Sequence, residues 1–365
     1  MPQFMVTALL SRLASLSIVA RVVFTIVVGT LGGLAFEVVG LPAAWLSGAM
    51  VFVAIATFAN LPTLIPNRLR DSIFVVLGIS MGSGVRPDVV ERVAEWPITM
   101  GVLAVTVVAV TGATYAFLRW VGHWNKEAAF FGAIPGALSF VIALASERSA
   151  DLSRIAVSQS FRLFVLVALL PSLIVHATDH PDAVAAPAAV ELSLAQAALL
   201  FALCIAASFG AVRLRVPGGW LTGAFFMSSA INAFGFMPVA LPQWMVVPCY
   251  VALGAMVGAR FGNTNLLTFL RLLAASFGAF LVGFAISVAA AWAVSVTLGL
   301  PFGQLILAYA PGGLEAMTLL AFVLNLDPAF VAGHQLARYI GMVLMLPLVT
   351  RLVLGPKAPL RVGAE

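Results

Sequence analysis

The sequence predicts an all-α membrane fold of about ten transmembrane helices in two inverted repeats of about five, each with one Pro-Gly-broken re-entrant or discontinuous segment. Three observations predict it: the composition, a register that recurs through the chain, and the placement of Lys and Arg. Of 365 residues, 62% are hydrophobic and 9% charged, against roughly 25% charged in soluble domains. Mean hydropathy is +1.10. A globule in water needs a polar exterior that this chain cannot supply, so lipid is its solvent.

Apolar segments fall at Val22–Val39, Ala43–Phe58, Ser72–Val85, Pro97–Trp120, Glu127–Ala145 and Ile155–Val175. After the polar stretch His176–Glu191, six more follow at Leu194–Val212, Gly219–Phe234, Pro248–Ala259, Leu270–Leu298, Phe302–Leu324 and Ala329–Leu354. The expected division is a cytoplasmic N-terminal segment 1–21, a first membrane repeat 22–176, an external linker 177–193, a second repeat 194–354 and a cytoplasmic tail 355–365. Met1–Ala20 shows no small-residue cleavage site, so it reads as a retained segment and not as a signal peptide.

The two halves match. Pro42, Trp45, Gly48 and Ala49 recur 175 positions later as Pro217, Trp220, Gly223 and Ala224. The offset then becomes 176: Pro62 answers Pro238, Gly78 answers Gly254, Gly82 answers Gly258, and Pro135-Gly136 answers Pro311-Gly312. Gln159 answers Gln335, Arg162 answers Arg338 and Pro171 answers Pro347. Chance pairing of apolar stretches would not align Gln, Arg, Pro and Gly in one frame, so the chain is read as a duplication.

Cytoplasmic loops of membrane proteins collect Lys and Arg. On that rule Arg12, Arg21, Arg68, Arg70, Arg119, Lys126, Arg213, Arg215, Arg260, Arg271, Arg351, Lys357 and Arg361 face the cytoplasm, while the loops near Gly40, Gly299, His176–Glu191 and Asn232–Val247 carry neither residue. Six crossings per half would put the Lys/Arg-free linker inside and Arg213/Arg215 outside. Five crossings satisfy the charges, leave both termini cytoplasmic and invert the halves. The segment that then fails to cross is the one interrupted by Pro135-Gly136, with its partner interrupted by Pro311-Gly312-Gly313. Twelve crossings in parallel repeats is the competing arrangement. The loop Arg86–Glu95, with two Arg against three acids, fits the rule least well.

These interruptions carry the chemistry. Proline removes a backbone donor and clashes with the preceding turn. Backbone unwound at membrane depth is tolerated only inside protein or beside water, and paired breaks in repeated halves mark a substrate or ion site. A proline kink that only aids packing is the alternative. Glu315 stands just after the second break, where its counterpart in the first half is Ser139. A carboxylate there either couples a proton or cation, or forms a structural ion pair with Arg338 or Arg162. Gln159/Arg162 and Gln335/Arg338 are spaced i, i+3 on one helix face. The two arginines either bind an anionic solute or tie down the carbonyls freed at the breaks. Candidate site residues are therefore Pro135, Gly136, Ser139, Gln159, Arg162, Pro311, Gly312, Gly313, Glu315, Gln335 and Arg338. His334 reads as a titrating neighbour or a packed core histidine. The small-residue face Gly78, Ser80, Gly82, Gly84 reads as close helix packing, with a flexible gate as the alternative.

Other classes are disfavoured. Net charge is +5 and the pI about 9.8, but the basic residues form no patch or run and no helix-turn-helix is visible, so no direct nucleic acid contact is expected. Cys204 and Cys249 lie inside apolar stretches and suit neither a disulfide framework nor a metal. The four histidines are scattered, and His176 and His180 share a polar loop. No cofactor or metal motif and no enzymatic nucleophile are found, so the chain is not expected to be an enzyme.

At Gly132-Ala133-Ile134-Pro135-Gly136-Ala137-Leu138 and Ala308-Tyr309-Ala310-Pro311-Gly312-Gly313-Leu314-Glu315, the sequence resembles the AbrB family of bacterial membrane proteins. The Pro-x-x-Trp-Leu-(Ser/Thr)-Gly-Ala boxes at Pro42 and Pro217 and the Gln-x-x-Arg pairs fit too. The resemblance covers nearly the whole chain. It carries two inherited labels, a regulator of gene expression and an ammonia monooxygenase. It also implies similarity to the cation/proton antiporter and anion transporter superfamily, with its inverted repeats and broken helices. The first half departs from the second in having Ala-Ile-Pro-Gly-Ala in place of Ala-Pro-Gly-Gly. Oxygen chemistry at copper or iron needs clustered ligands that four dispersed histidines do not provide. The expectation is thus a bacterial inner-membrane secondary transporter of a small anionic solute, coupled to a cation or proton gradient. A membrane regulator acting indirectly on gene expression is the alternative. Expected partners are the solute, its coupling ion, membrane lipid and a second copy of the chain as a homodimer.

Overall fold

The computed structural model describes residues 17–85, 96–136, 138–148, 150–177, 192–237, 239–263 and 266–355. Residues 1–16, the loop Arg86–Glu95, most of the linker 177–193, Pro238 and the tail beyond Gly355 lie outside the described residues. Among those described, all regular structure is helical. The first half holds α1 (Ile18–Val39), α2 (Ala44–Phe58), α3 (Asn67–Gly82), α4 (Trp96–Ala116, continued by a π-turn at Phe117–Val121), α5 (Lys126–Ala133), α6 (Leu138–Ser146) and α7 (Leu152–Ala177). The second holds α8 (Leu194–Arg213), α9 (Gly219–Ala233), α10 (Gln243–Gly258, continued by a 3₁₀ turn at Ala259–Asn263), α11 (Leu266–Leu298), α12 (Phe302–Tyr309), α13 (Leu314–Val323) and α14 (Pro328–Leu354).

Seven of these are long and apolar enough to cross a bilayer: α1, α4 with its π-turn, α7, α8, α10 with its 3₁₀ turn, α11 and α14. The protein is therefore of the all-α membrane type. Among the described residues fourteen helices stand for the twelve apolar segments, because each Pro-Gly segment is two helices, α5/α6 and α12/α13. Helices α3 and α10 start about five residues before the apolar segments that announce them, because backbone hydrogen bonding runs on through Arg68, Arg70 and Asp71, and through Gln243 ahead of Pro248. The stretch expected to be a polar loop from His176 begins inside α7, where His176 Nδ1 donates to the Ser172 carbonyl at 2.6 Å.

The helix ends follow local chemistry. Ser17 caps α1 and Gly40 closes it in the left-handed region. Ser193 and Gln196 form a capping box on α8. Asp327 caps α14, accepting from Ala329 and Phe330 N–H, with Pro328 in the first turn.

Packing divides the helices into two layers. One contains α1–α3 and α8–α10, and in it the halves exchange partners: α3 lies along α9 and α10 along α2. Glycine makes both crossings possible. A Cβ on Gly78 would meet the Leu221 carbonyl at 2.6 Å, and one on Gly254 the Leu46 carbonyl at 2.2 Å. Buried hydroxyls bond backbone between helices, Ser228 to the Ile79 carbonyl across the α3/α9 crossing and Ser47 to the Val167 carbonyl of α7. Close packing is thus what the small-residue face does. The other layer contains α4–α7 and α11–α14, with α11 laid against α4 and α7. The interrupted helices sit within this second layer.

Candidate solute and ion site

Asn125 starts α5 by accepting from Ala128 N–H at 2.7 Å, and eight residues later the helix stops at Ile134-Pro135-Gly136. Gly136 has φ +95°, a conformation that favours glycine. In the second half α12 stops at Ala310-Pro311, and Gly313 opens α13. Each stop frees carbonyls that no later N–H of the helix can reach. The Gln-x-x-Arg pairs take them in the same pattern in both halves. Gln159 Nε2 donates to the Phe131 carbonyl at 3.3 Å and Arg162 Nη2 to Ile134 at 3.1 Å. Gln335 Nε2 donates to Leu307 at 2.7 Å and Arg338 Nη1 to Ala310 at 2.6 Å. Every one of these bonds reaches back 28 residues.

The two arginines differ in what remains. Arg338 also donates Nη2 to the Gly312 carbonyl at 2.5 Å and to Gln335 Oε1. Among the described residues Arg162 has the single bond to Ile134. Both side chains are more than nine-tenths buried, at 7% exposure for Arg162 and 6% for Arg338, and the Nε of each has no partner. Tying down the freed carbonyls, one of the two readings of the sequence, is therefore the work of Arg338 and only part of the work of Arg162.

The breaks meet. A Cβ on Gly136 would stand 3.7 Å from Arg338 Nη2 and 3.8 Å from the Gly312 carbonyl. Around this crossing lies a cavity of about 750 Å³. Of the candidate residues it is lined by Gly136, Gln159, Arg162, Pro311, Gly312, Gly313, Glu315 and Arg338. Gln335, 1% exposed, and Pro135 are buried and do not line it. Ser139 lies on α6 with its side chain outside the described residues. His334 is also set apart, fully buried, hydrogen-bonded through Nε2 to Thr99 at 2.8 Å and stacked on Phe330 at 4.0 Å. It is the packed histidine of the two alternatives.

Glu315 sits in the first turn of α13, half-buried. A Cβ on Gly218 would stand 3.4 Å from its Oε1, so the carboxylate turns toward the start of α9. Among the described residues no ion pair joins it to Arg162 or Arg338. The cation whose field it shares is Arg260, in the turn after α10. The sequence offered Arg338 and Arg162 as partners, but Arg338 is spent on Ala310, Gly312 and Gln335.

Arg260 is the site residue that sequence reasoning missed. It reads there as a topology charge at a helix end, yet it lines the cavity. The duplication holds a weak signal: its counterpart 176 positions earlier is Gly84, although other charges, such as Glu127 against Gly303, also lack a charged counterpart. The cavity also receives four helix N-termini, those of α6 at Leu138, α7 at Leu152-Ser153, α9 at Gly218 and α13 at Leu314. Each brings a partial positive charge, and at α7 the Asp151 carboxylate caps it by accepting from Arg154 N–H at 3.1 Å. With three arginines against one carboxylate, the space is electropositive.

Residues 45–354 match a family model described as "Transition state regulatory protein AbrB". The chain is similar to a protein of Escherichia coli (strain K12) named "Putative regulator AbrB", 25% identical over 335 residues, covering 90% of this chain and 94% of that one. It is also similar to "Uncharacterized protein YhjN" of Bacillus subtilis (strain 168), 22% identical over 352 residues, covering 90% and 92%. No solved structure matches. A match over most of the chain, through both interrupted helices and both Gln-x-x-Arg pairs, places this protein in the AbrB family.

Proposed function

We propose that this protein is a secondary transporter of a small anionic solute in the bacterial inner membrane, driven by a cation or proton gradient. The observation that carries the reading is the convergence of both Pro-Gly breaks, Arg162, Arg338 and Glu315 on one cavity. Interrupted helices at a repeat interface supply backbone dipoles where an ion must shed water, and the electropositive lining selects an anion. Glu315, the only acid in the lining among the described residues, is the group that would exchange a proton or cation. The reading includes two inverted repeats of about five crossings, with α5/α6 and α12/α13 each entering and returning or crossing discontinuously. By the positive-inside rule Arg260 and Arg154 lie on the cytoplasmic side, so the cavity mouth beside Leu152, Ser153 and Arg260 faces the cytoplasm. Both termini are proposed to lie on that side, the protein to act as no enzyme, and a homodimer to be its assembled form.

The regulatory name carried by the Escherichia coli relative is read here as a downstream effect of solute flux, since nothing in the cavity calls for a nucleic acid. The test is uptake of a labelled anion library into proteoliposomes, with and without a pH or sodium gradient. Gradient-stimulated uptake that Glu315→Ala uncouples is the expected result. Absence of any uptake, together with a deletion phenotype that Glu315→Ala and Arg338→Ala both complement, overturns it.

A further inference from the structure

We infer that the cavity is built for a dianion held between Arg162 and Arg260, with Arg338 reserved as a structural clamp and Glu315 setting the charge that the site accepts. The inference rests on the anion reading above and sharpens it.

The three cavity arginines are not equivalent. Arg338 has both terminal nitrogens committed to protein acceptors at Ala310, Gly312 and Gln335. A ligand could bind them only by breaking the clamp on the second interruption. Arg162 has one such bond and is more than nine-tenths buried beside the cavity. Arg260 lines the cavity with no hydrogen-bond partner among the described residues, and Glu315 is the charge it feels. Arg338 Nε is unpaired but buried, as is Arg162 Nε, so the terminal donors left for a ligand belong to Arg162 and Arg260. They sit on different elements, α7 and the turn after α10, so they present two separate points of attachment.

The charge sum fixes the valence. Among the described residues, the ionisable groups lining the cavity from every element are Arg162 on α7, Arg260 after α10, Glu315 on α13, and Arg338 and the neutral phenol of Tyr339 on α14. Asp151 and Arg154, at the start of α7, pair with each other at 3.1 Å and cancel. The lining thus carries a formal charge of +2. Uncompensated charge is costly on the buried Arg162 and Arg338, while Arg260 is exposed at the rim of the cavity; a bound species of charge −2 cancels the sum. A monoanion leaves one positive charge, and a trianion adds one negative. The N-termini of α6, α7, α9 and α13 favour the anion further, while of the opposing C-termini those of α5 and α12 are bonded by Arg162 and Arg338 and that of α10 is followed by Arg260. The volume suits a small organic molecule. A dicarboxylate and an inorganic oxyanion share this chemistry, and the test separates them.

The full-length protein in lipid nanodiscs is titrated with propionate, succinate and tricarballylate, a carboxylate series of rising charge, and with sulfate and phosphate. Binding is read by calorimetry. Succinate or sulfate is expected to bind at least about tenfold more tightly than propionate and tricarballylate, and whichever of the two wins names the source. Arg260→Gln is expected to weaken the dianion about 10- to 100-fold, the worth of a charge-assisted contact, and to move the preference to propionate. Glu315→Gln moves it to tricarballylate. Arg260→Lys keeps the dianion preference and shows that loss in the Gln variant is not misfolding. No preference for charge −2 in the parent protein, or a preference unmoved in both Gln variants, overturns the inference. Uptake confined to monoanions would sink it while leaving the transporter reading intact. Dianion binding without any uptake would do the reverse.

Discussion

Replacing Arg338 by Met should damage the protein far more than replacing Arg162 by Met, although the two occupy the same place in the duplicated frame. Arg338→Met removes three hydrogen bonds. The Ala310 carbonyl, on a residue 0% exposed and outside the cavity, keeps the Gly312 N–H at 2.7 Å but loses its charged donor, at a cost of about 1 kcal/mol. Gly312 lines the cavity, so water can reach its carbonyl and the loss there is about 1 kcal/mol. The Gln335 contact contributes about as much again, in line with the modest worth of hydrogen bonds inside membrane proteins. Together these give about 3 kcal/mol. Arg162→Met removes one bond, to Ile134, at about 1–2 kcal/mol. The difference of about 1.4 kcal/mol corresponds to roughly tenfold in the unfolding equilibrium. Reversible unfolding in mixed detergent–SDS micelles, followed by circular dichroism, measures it. Equal losses, or a larger loss at Arg162, would refute the assignment of Arg338 as the clamp.

Other expectations follow from packing and access. Gly254→Val should abolish a monodisperse fold, because its Cβ would fall 2.2 Å from the Leu46 carbonyl, backbone that cannot move aside; size-exclusion chromatography of the solubilised protein reads this. Gly101→Ala, in the exposed face of α4 with nothing within 4 Å, should instead be neutral or stabilise by up to about 1 kcal/mol through helix propensity, a small positive shift in the same unfolding assay. Ser153→Cys should react with a membrane-impermeant maleimide from the cytoplasmic side only, since it lines the cavity mouth; labelling only from the outside would reverse the orientation. The native Cys204 and Cys249, both buried, should stay unlabelled under the same conditions until SDS is added.

The breaks and their clamps were legible because they rest on backbone chemistry. Proline at 135 and 311 forbids helix continuation whatever surrounds it, and a freed carbonyl in oil must find a donor, which the Gln-x-x-Arg spacing provides. The helix starts were less legible. Hydropathy reports which residues prefer lipid, while helices continue through Arg68 and Arg70 as long as their amides are bonded. The partner of Glu315 could not be read. It depends on where the turn after α10 comes to rest against the start of α9, a tertiary fact that no local pattern encodes. Arg260 was misread for the same reason: a lone arginine at the end of an apolar run has the same local signature whether it meets a headgroup or a cavity.

The exchange of partners, α3 along α9 and α10 along α2, has a consequence for ancestry and assembly. Neither half on its own possesses the surface its third helix needs, so a single half would leave a glycine-lined groove open to lipid. A half-length forebear could have been stable only as a pair of identical chains clasped in this way, and gene fusion then freed each copy to diverge, one acquiring Arg where the other kept Gly. Two polypeptides severed between residues 178 and 191 and made in one cell should find each other and restore the clasp, whereas either fragment made alone should be degraded.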